Sequence, residues 1–264
     1  MSFVEKLSQR CRKTSAYLCV GLDLEFDKLP PSIRKSTTPF YDYNRLVIDA
    51  TSDLVCAYKP NLAFYEAQGP SGIAQLKQSL AYIPSEIPVI LDAKRGDIGN
   101  TARMYAQACY GYFNADAVTL SPYLGQDSLQ PFLEWKDRFV FALVRTSNAG
   151  SDPIQRSILQ TGEPLYERVA ALCSDWGDSE HLGFVVGATQ QPELIRLRES
   201  FPERIFLIPG VGSQGGDSAG TLLHGPDRHR NLAVINVSRK IIFPDDGQTI
   251  RSAAEHYHRV LSIP

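Results

Sequence analysis

Eight short apolar runs, spread along the whole chain and alternating with stretches of helical periodicity, restrict the folds open to this sequence more than any other feature. The runs are Tyr17–Leu22, Val55–Lys59, Val89–Lys94, Ala117–Pro122, Phe139–Thr146, Gly183–Ala188, Ile205–Pro209 and Ala233–Ser238. They have strand length, are bounded by turn-forming residues and are apolar on both faces, so each predicts a strand buried from two sides. Between them Tyr43–Thr51, Gly72–Tyr82, Thr101–Gly111, Leu129–Trp135, Pro164–Cys173, Pro192–Ser200 and Asp217–Leu223 have helical spacing, and Ile250–Leu261 follows the last strand. Strand and helix alternating eight times predict an α/β fold of the TIM type, a closed parallel (β/α)8 barrel rather than an open sheet. No internal repeat, low-complexity tract or linker divides the 264 residues. Barrels of this length are routinely one unit, so a single domain over residues 1–264 is expected.

A barrel of this kind carries its active site at the C-terminal ends of the strands. The residues there are Asp23, Lys59 with Asn61, Asp92 with Lys94, Ser121 to Tyr123, Thr146 to Asn148, Gly187 to Thr189, Pro209 to Gly212, and Ser238 with Arg239. The third end is the richest: Val89-Ile90-Leu91-Asp92-Ala93-Lys94-Arg95-Gly96-Asp97-Ile98-Gly99-Asn100-Thr101-Ala102. In extended chain, alternate side chains share a face, so Asp92 and Lys94 point the same way. Asp97 lies beyond Gly96, a glycine expected to kink the chain, and strand parity does not fix its direction. If Asp23, Lys59, Asp92, Lys94 and Asp97 share one mouth they form an alternating array of anions and cations. Such an array is either a structural network closing the barrel end or a reactive site.

Two further strand ends suggest ligand chemistry. Ile208–Asp217 is rich in glycine and leaves backbone N–H groups open ahead of a helix, an arrangement that attracts phosphate; Arg239 ends the next strand, and an Arg can grip a phosphate by two parallel bonds. The plainer alternative is a glycine-rich turn beside a surface Arg. Gly210-x-Gly212-x-x-Gly215 also matches the dinucleotide fingerprint, but it follows the seventh strand instead of the first and the next strand ends in Arg239 rather than an acid, which argues against a nicotinamide cofactor. At the fifth strand end, Thr146, Ser147 and Asn148 could read the amide edge of a planar ring, or simply cap a loop. Phe26–Phe40, with three prolines, reads as a long loop able to cover the mouth.

Other classes of function find little support. With 43% hydrophobic residues, 21% charged and a formal net charge of −2, nothing points to nucleic acid. No apolar run approaches the ~20 residues of a membrane span and the N-terminus lacks the apolar core of a signal peptide, so a cytoplasmic location is expected. The five cysteines are scattered without a C-x-x-C pair and read as reduced core residues. His256 and His258 have metal-site spacing, yet on a helix i and i+2 do not share a face, so no metal site is expected.

Taken together, the motifs closely resemble the orotidine 5′-phosphate decarboxylase family, in its longer bacterial-type subgroup. The resemblance runs over nearly the full chain: V-G-L-D at Val20–Asp23, K-P-N at Lys59–Asn61, L-D-A-K-R-G-D-I-G-N-T-A at Leu91–Ala102, S-P-Y-L-G at Ser121–Gly125, R-T-S-N at Arg145–Asn148, V-V-G-A-T at Val185–Thr189, P-G-V-G-S-Q-G-G-D at Pro209–Asp217 and S-R at Ser238–Arg239. It implies decarboxylation of orotidine 5′-monophosphate to uridine 5′-monophosphate, without metal or organic cofactor. It further implies a catalytic tetrad of Lys59, Asp92, Lys94 and Asp97, the last supplied with Ile98 and Thr101 by the partner in a homodimer. Asp23 and Lys59 match the residues that hold the ribose hydroxyls, Ser147 the one that reads the pyrimidine, and Gln214 and Arg239 the phosphate grip. Lys240 departs from the pattern, standing where many relatives have Gly. A metal-dependent barrel acting on sugar-phosphate enediolates shares D-x-K-x-x-D but has an acid where Lys59 stands, and an inactive phosphate-binding scaffold would have no use for an intact tetrad.

Overall fold

All eight strands form, and all run parallel: β1 (Leu18–Gly21), β2 (Ala57–Lys59), β3 (Ile90–Arg95), β4 (Ala117–Leu120), β5 (Phe139–Arg145), β6 (Leu182–Val186), β7 (Phe206–Pro209) and β8 (Val234–Val237). The computed structural model describes residues 1–212 and 215–263. The sheet order is β2-β1-β8-β7-β6-β5-β4-β3, and its two ends meet through parallel bridges Tyr58↔Val89 and Asn61↔Asp92. Backbone bonds from Tyr58 N to Pro88 O (3.0 Å) and from Asp92 N to Pro60 O (2.9 Å) complete the closure. The strand interiors are buried on both faces because side chains fill the barrel and helices cover it, which is why the apolar runs do not alternate.

The intervening helices lie where their periodicity placed them, among them Pro39–Thr51, Gly69–Tyr82, Gly99–Ala106, Leu165–Trp176, Gln191–Ser200 and Ile250–Val260. Two regions differ from the sequence reading. Phe26–Phe40 is not one open loop: it contains a 3-10 turn at Phe26–Lys28 and a short helix Pro31–Arg34, and Pro39 opens the next helix. Proline there starts helices, since the first turn has no intrahelical use for its missing N–H. The second is Phe3–Thr14, a helix the sequence reading passed over. Its signal was present: Ser2 and Glu5 form a reciprocal capping box, and Phe3, Val4, Leu7 and Cys11 make its buried stripe.

This N-terminal helix lies across the N-terminal end of the barrel. Phe3 packs on Phe139 and Phe141 of β5 at 4.7 and 5.6 Å between centroids, and Lys6 pairs with Asp116, just before β4, at 2.7 Å. Buried Arg10 donates to the carbonyls of Ser52 (2.6 Å) and Val55 (2.8 Å) ahead of β2. With that end packed, ligand access falls to the opposite mouth. All five cysteines are buried and free. His258 bonds the carbonyl of Thr14 at 2.8 Å, a tie between the terminal helices. Among the described residues, no helix is long and apolar enough to cross a membrane.

Candidate active site

The C-terminal mouth holds a cavity of about 490 Å³, in the range of small-molecule sites. Its walls divide by chemistry. Asp23, Lys59, Asp92, Lys94, Thr119 and Asn236 give a charged and polar side, while Leu143, Val185 and Leu207 of β5 to β7 give an apolar side.

Asp92 is the centre of the polar wall. It is only 8% exposed, and its two oxygens receive different ammonium groups: Lys59 Nζ on Oδ2 at 2.8 Å and Lys94 Nζ on Oδ1 at 2.6 Å. Burial alone would raise the Asp92 carboxyl, but Lys59 and Lys94 outweigh it and hold the group well below the usual carboxylate range. Burial likewise works against the charged form of Lys59, which is 4% exposed; Asp92 and Asp23 outweigh it and hold the ammonium above the ordinary lysine range. Both groups are therefore ionised at neutral pH. Lys94 differs in access, with about half of its side chain exposed at the cavity. Asp23 lines the same wall, and its Oδ1 is buried without a hydrogen-bond partner among the described residues.

The route by which Asp92 and Lys94 meet is not regular strand parity. Lys94 has φ +46°, in the left-handed region, and the β3–β4 register shifts between Leu91 and Arg95. A non-glycine residue there costs of order 1–3 kcal/mol and persists where its surroundings over-determine it. Gly96, expected to turn the chain, does not have positive φ; its hydrogen makes room for the carbonyl of Ser121, which a Cβ would approach to 2.9 Å. The left-handed positions are Lys94 and Gly99, on either side of it. Beyond the bend Asp97, Ile98 and Thr101 do not line the cavity of their own chain. The Asp97 carboxylate accepts the Ile98 N–H at 2.8 Å, and Ile98 is 53% exposed.

At the end of β5, Thr146, Ser147 and Asn148 line the cavity as expected. Gly187 has no room for a side chain because a Cβ would lie 2.7 Å from Ser147 Cα. Arg145 behind them is fully buried and was not singled out from sequence; it bonds Ser151, Gln155, Gln190 and Asp152, and Gln155 in turn accepts the Thr146 N–H at 2.9 Å. Thr119 and Asn236 were also missed, being within β4 and β8 rather than at their ends. Their signal was a polar residue inside an apolar run, which in a filled barrel must face the mouth or a partner.

The two strand ends expected to bind phosphate adjoin one another at the cavity. Pro209, Gly210, Val211, Ser238 and Arg239 line the cavity together. The loop after β7 pinches on itself, Gly216 N donating to Gly210 O at 3.1 Å, with Gly210 at φ +106° and Gly212 at φ +86°. The N-terminus of the helix Ser218–His224, however, is capped by Asp217, whose carboxylate accepts the Ala219 N–H at 3.0 Å. An anion at that terminus would meet the like charge of the Asp217 carboxylate, which argues against the helix end as the phosphate site expected from the sequence. Gln214 lies outside the described residues.

A profile described as the orotidine 5′-phosphate decarboxylase / HUMPS family matches residues 16–253, nearly the whole barrel. The chain belongs to this family. It is 45% identical to an orotidine 5′-phosphate decarboxylase of Herpetosiphon aurantiacus, covering 99% of this chain and 97% of that one. It is 46% identical to another from Halorubrum lacusprofundi, covering 96% and 95%. The solved structure of Leishmania donovani OMP decarboxylase superposes with a TM-score of 0.87 at 37% identity, covering 99% of this chain and 98% of that one. The chains agree in length as well as in fold, so the family resemblance extends over the entire mouth described above.

Proposed function

We propose that this protein removes CO2 from orotidine 5′-monophosphate to give uridine 5′-monophosphate, and that Lys59, Asp92 and Lys94 with a partner's Asp97 do the chemistry. The observation that carries the reading is the Lys59–Asp92–Lys94 array at the end of β3, inside a family whose full-length relatives bear that name. Breaking the bond from C6 to the carboxylate leaves its electron pair on C6, in the plane of the ring and without a conjugated sink. A cation fixed beside C6 before the reaction stabilises that charge at no cost of reorganisation. Lys94, held by Asp92 and open to the cavity, is such a cation; it then donates a proton to C6 and is left as a neutral amine, to be reprotonated from solvent. Asp23, with its unpartnered buried oxygen, and Lys59 suit the ribose hydroxyls, Ser147 the pyrimidine amide, and the loop after β7 with Gln214 and Arg239 the phosphate. The phosphate is remote from the reacting carbon, so its binding energy acts by drawing the loops closed.

The family also spans HUMPS members, and a metal-dependent reaction is the competing reading. Lys59 argues against it, because that reading needs an acid at this position and the chain instead has an ammonium 2.8 Å from the Asp92 carboxylate. Two observations support the shared-site reading: Asp97, Ile98 and Thr101 do not line the cavity of their own chain, and Ile98, Met104, Tyr123 and Leu124 are large apolar side chains left exposed for a second copy to cover. A cytoplasmic enzyme of pyrimidine synthesis accords with this chemistry. Following the loss of orotidine 5′-monophosphate absorbance with and without a chelator tests the assignment. Turnover unaffected by chelation is expected; turnover abolished by it would transfer the chain to the metal-dependent branch.

A further inference from the structure

The hydroxyl of Thr119 has no part in the reading above, yet its position is unusual. Between the pairs Leu91↔Val118 and Arg95↔Leu120, β3 carries Asp92, Ala93 and Lys94 where β4 carries Thr119 alone. The extra residues form a bulge, and a bulge leaves ladder groups unpaired. Thr119 spans this one: its Oγ1 donates to Asp92 Oδ1 at 2.8 Å and accepts the backbone N–H of Lys94 at 3.1 Å. Both bonds are used at once, with the residue 1% exposed and therefore shielded from solvent that could substitute for it. The hydroxyl thus ties the carboxylate to the backbone of the residue at φ +46°.

We propose that Thr119 is a positioning residue for decarboxylation, fixing the bulge that aims Lys94 at C6 while Asp92 holds its ammonium. The inference rests on the assignment of Lys94 to that carbon. The Thr119 hydroxyl bonds the Asp92–Lys94 segment, so its effect falls on the chemical step rather than on substrate capture. Removing the hydroxyl takes the partner from the part-buried N–H of Lys94 and frees one oxygen of Asp92 to rotate with Lys94.

Thr119→Val keeps the shape and removes the hydroxyl; Thr119→Ser keeps the hydroxyl and removes a methyl. Thr119→Val is expected to lower kcat between about ten- and a hundredfold with KM within about threefold of wild type, whereas Thr119→Ser retains kcat within about threefold. Affinity for a nucleotide bearing an anionic oxygen on C6 should fall in parallel with kcat, and affinity for uridine 5′-monophosphate should not. Wild-type kcat in Thr119→Val, or an equal fall in both variants, would overturn the proposal, as would parallel losses of kcat and uridine 5′-monophosphate affinity, the mark of general disorder. Should Thr119→Val fail to fold, Thr119→Ser decides: near-native kcat supports the proposal, and a tenfold loss at unchanged melting temperature overturns it. A wild type with no turnover would remove the underlying assignment instead, a result separate from any of these.

Discussion

Asp92 binds two lysines that differ in access: Lys59 is buried in the cavity wall, while Lys94 is half open to the cavity. The depressed Asp92 carboxyl and the raised Lys59 ammonium set a definite pH dependence. A depressed acid contributes stability that is present above its unfolded pKa, near 3.9, and is lost as pH falls through the folded value. A raised lysine contributes stability fully present below its unfolded pKa, near 10.4, and lost as pH rises through the folded value. The difference in melting temperature between wild type and the double variant Lys59→Met/Asp92→Asn, which removes both charges together, should therefore be constant from about pH 5 to about pH 9 and shift against the wild type below about pH 4. A difference that drifts between pH 6 and pH 8 would contradict the two assigned directions. At this scale the sequence was legible for Asp92 and Lys94, though the strand parity that paired them is not how they meet. A left-handed lysine leaves no mark on composition or spacing, because it is imposed by the register of the neighbouring strand.

Among the elements, strand limits were readable to within about two residues because burial on both faces writes an unbroken apolar run. The N-terminal helix stands outside the strand–helix alternation and is marked in the sequence by the capping pair Ser2 and Glu5. Close approach between strands was equally hidden: Gly187 reads as a flexible glycine but makes room for Ser147. Gly187→Ala should displace Ser147 and lower kcat/KM on the order of 10²-fold with the fold retained, as circular dichroism and steady-state kinetics would register. An unchanged kcat/KM would remove Ser147 from the ring-reading role. Lys240, the departure noted in the sequence, pairs with Asp245 at 2.9 Å and does not line the cavity. Lys240→Gly should leave kcat at saturating substrate within about twofold of wild type, as expected for a surface ion pair; a collapse would mean that the phosphate end is misplaced.

For the whole molecule, the barrel explains why residues distant in sequence converge, and the proposed part of Asp97 requires a second copy, since Asp97 does not line the cavity of its own chain. A site completed by a second copy makes a numerical prediction. Lys94→Ala and Asp97→Ala are each expected to be inactive alone; after subunit exchange of equal amounts, half the dimers are mixed and each mixed dimer has one intact site of its two, so about a quarter of wild-type activity should return. No recovery after demonstrated exchange would make the site self-contained. The most direct test of the central claim is the rate at which Lys94→Ala consumes orotidine 5′-monophosphate, measured beside the wild type at saturating substrate. A loss of at least about a thousandfold in kcat with the fold unchanged is expected; a variant that keeps kcat within about tenfold would show that the cation beside C6 is not Lys94.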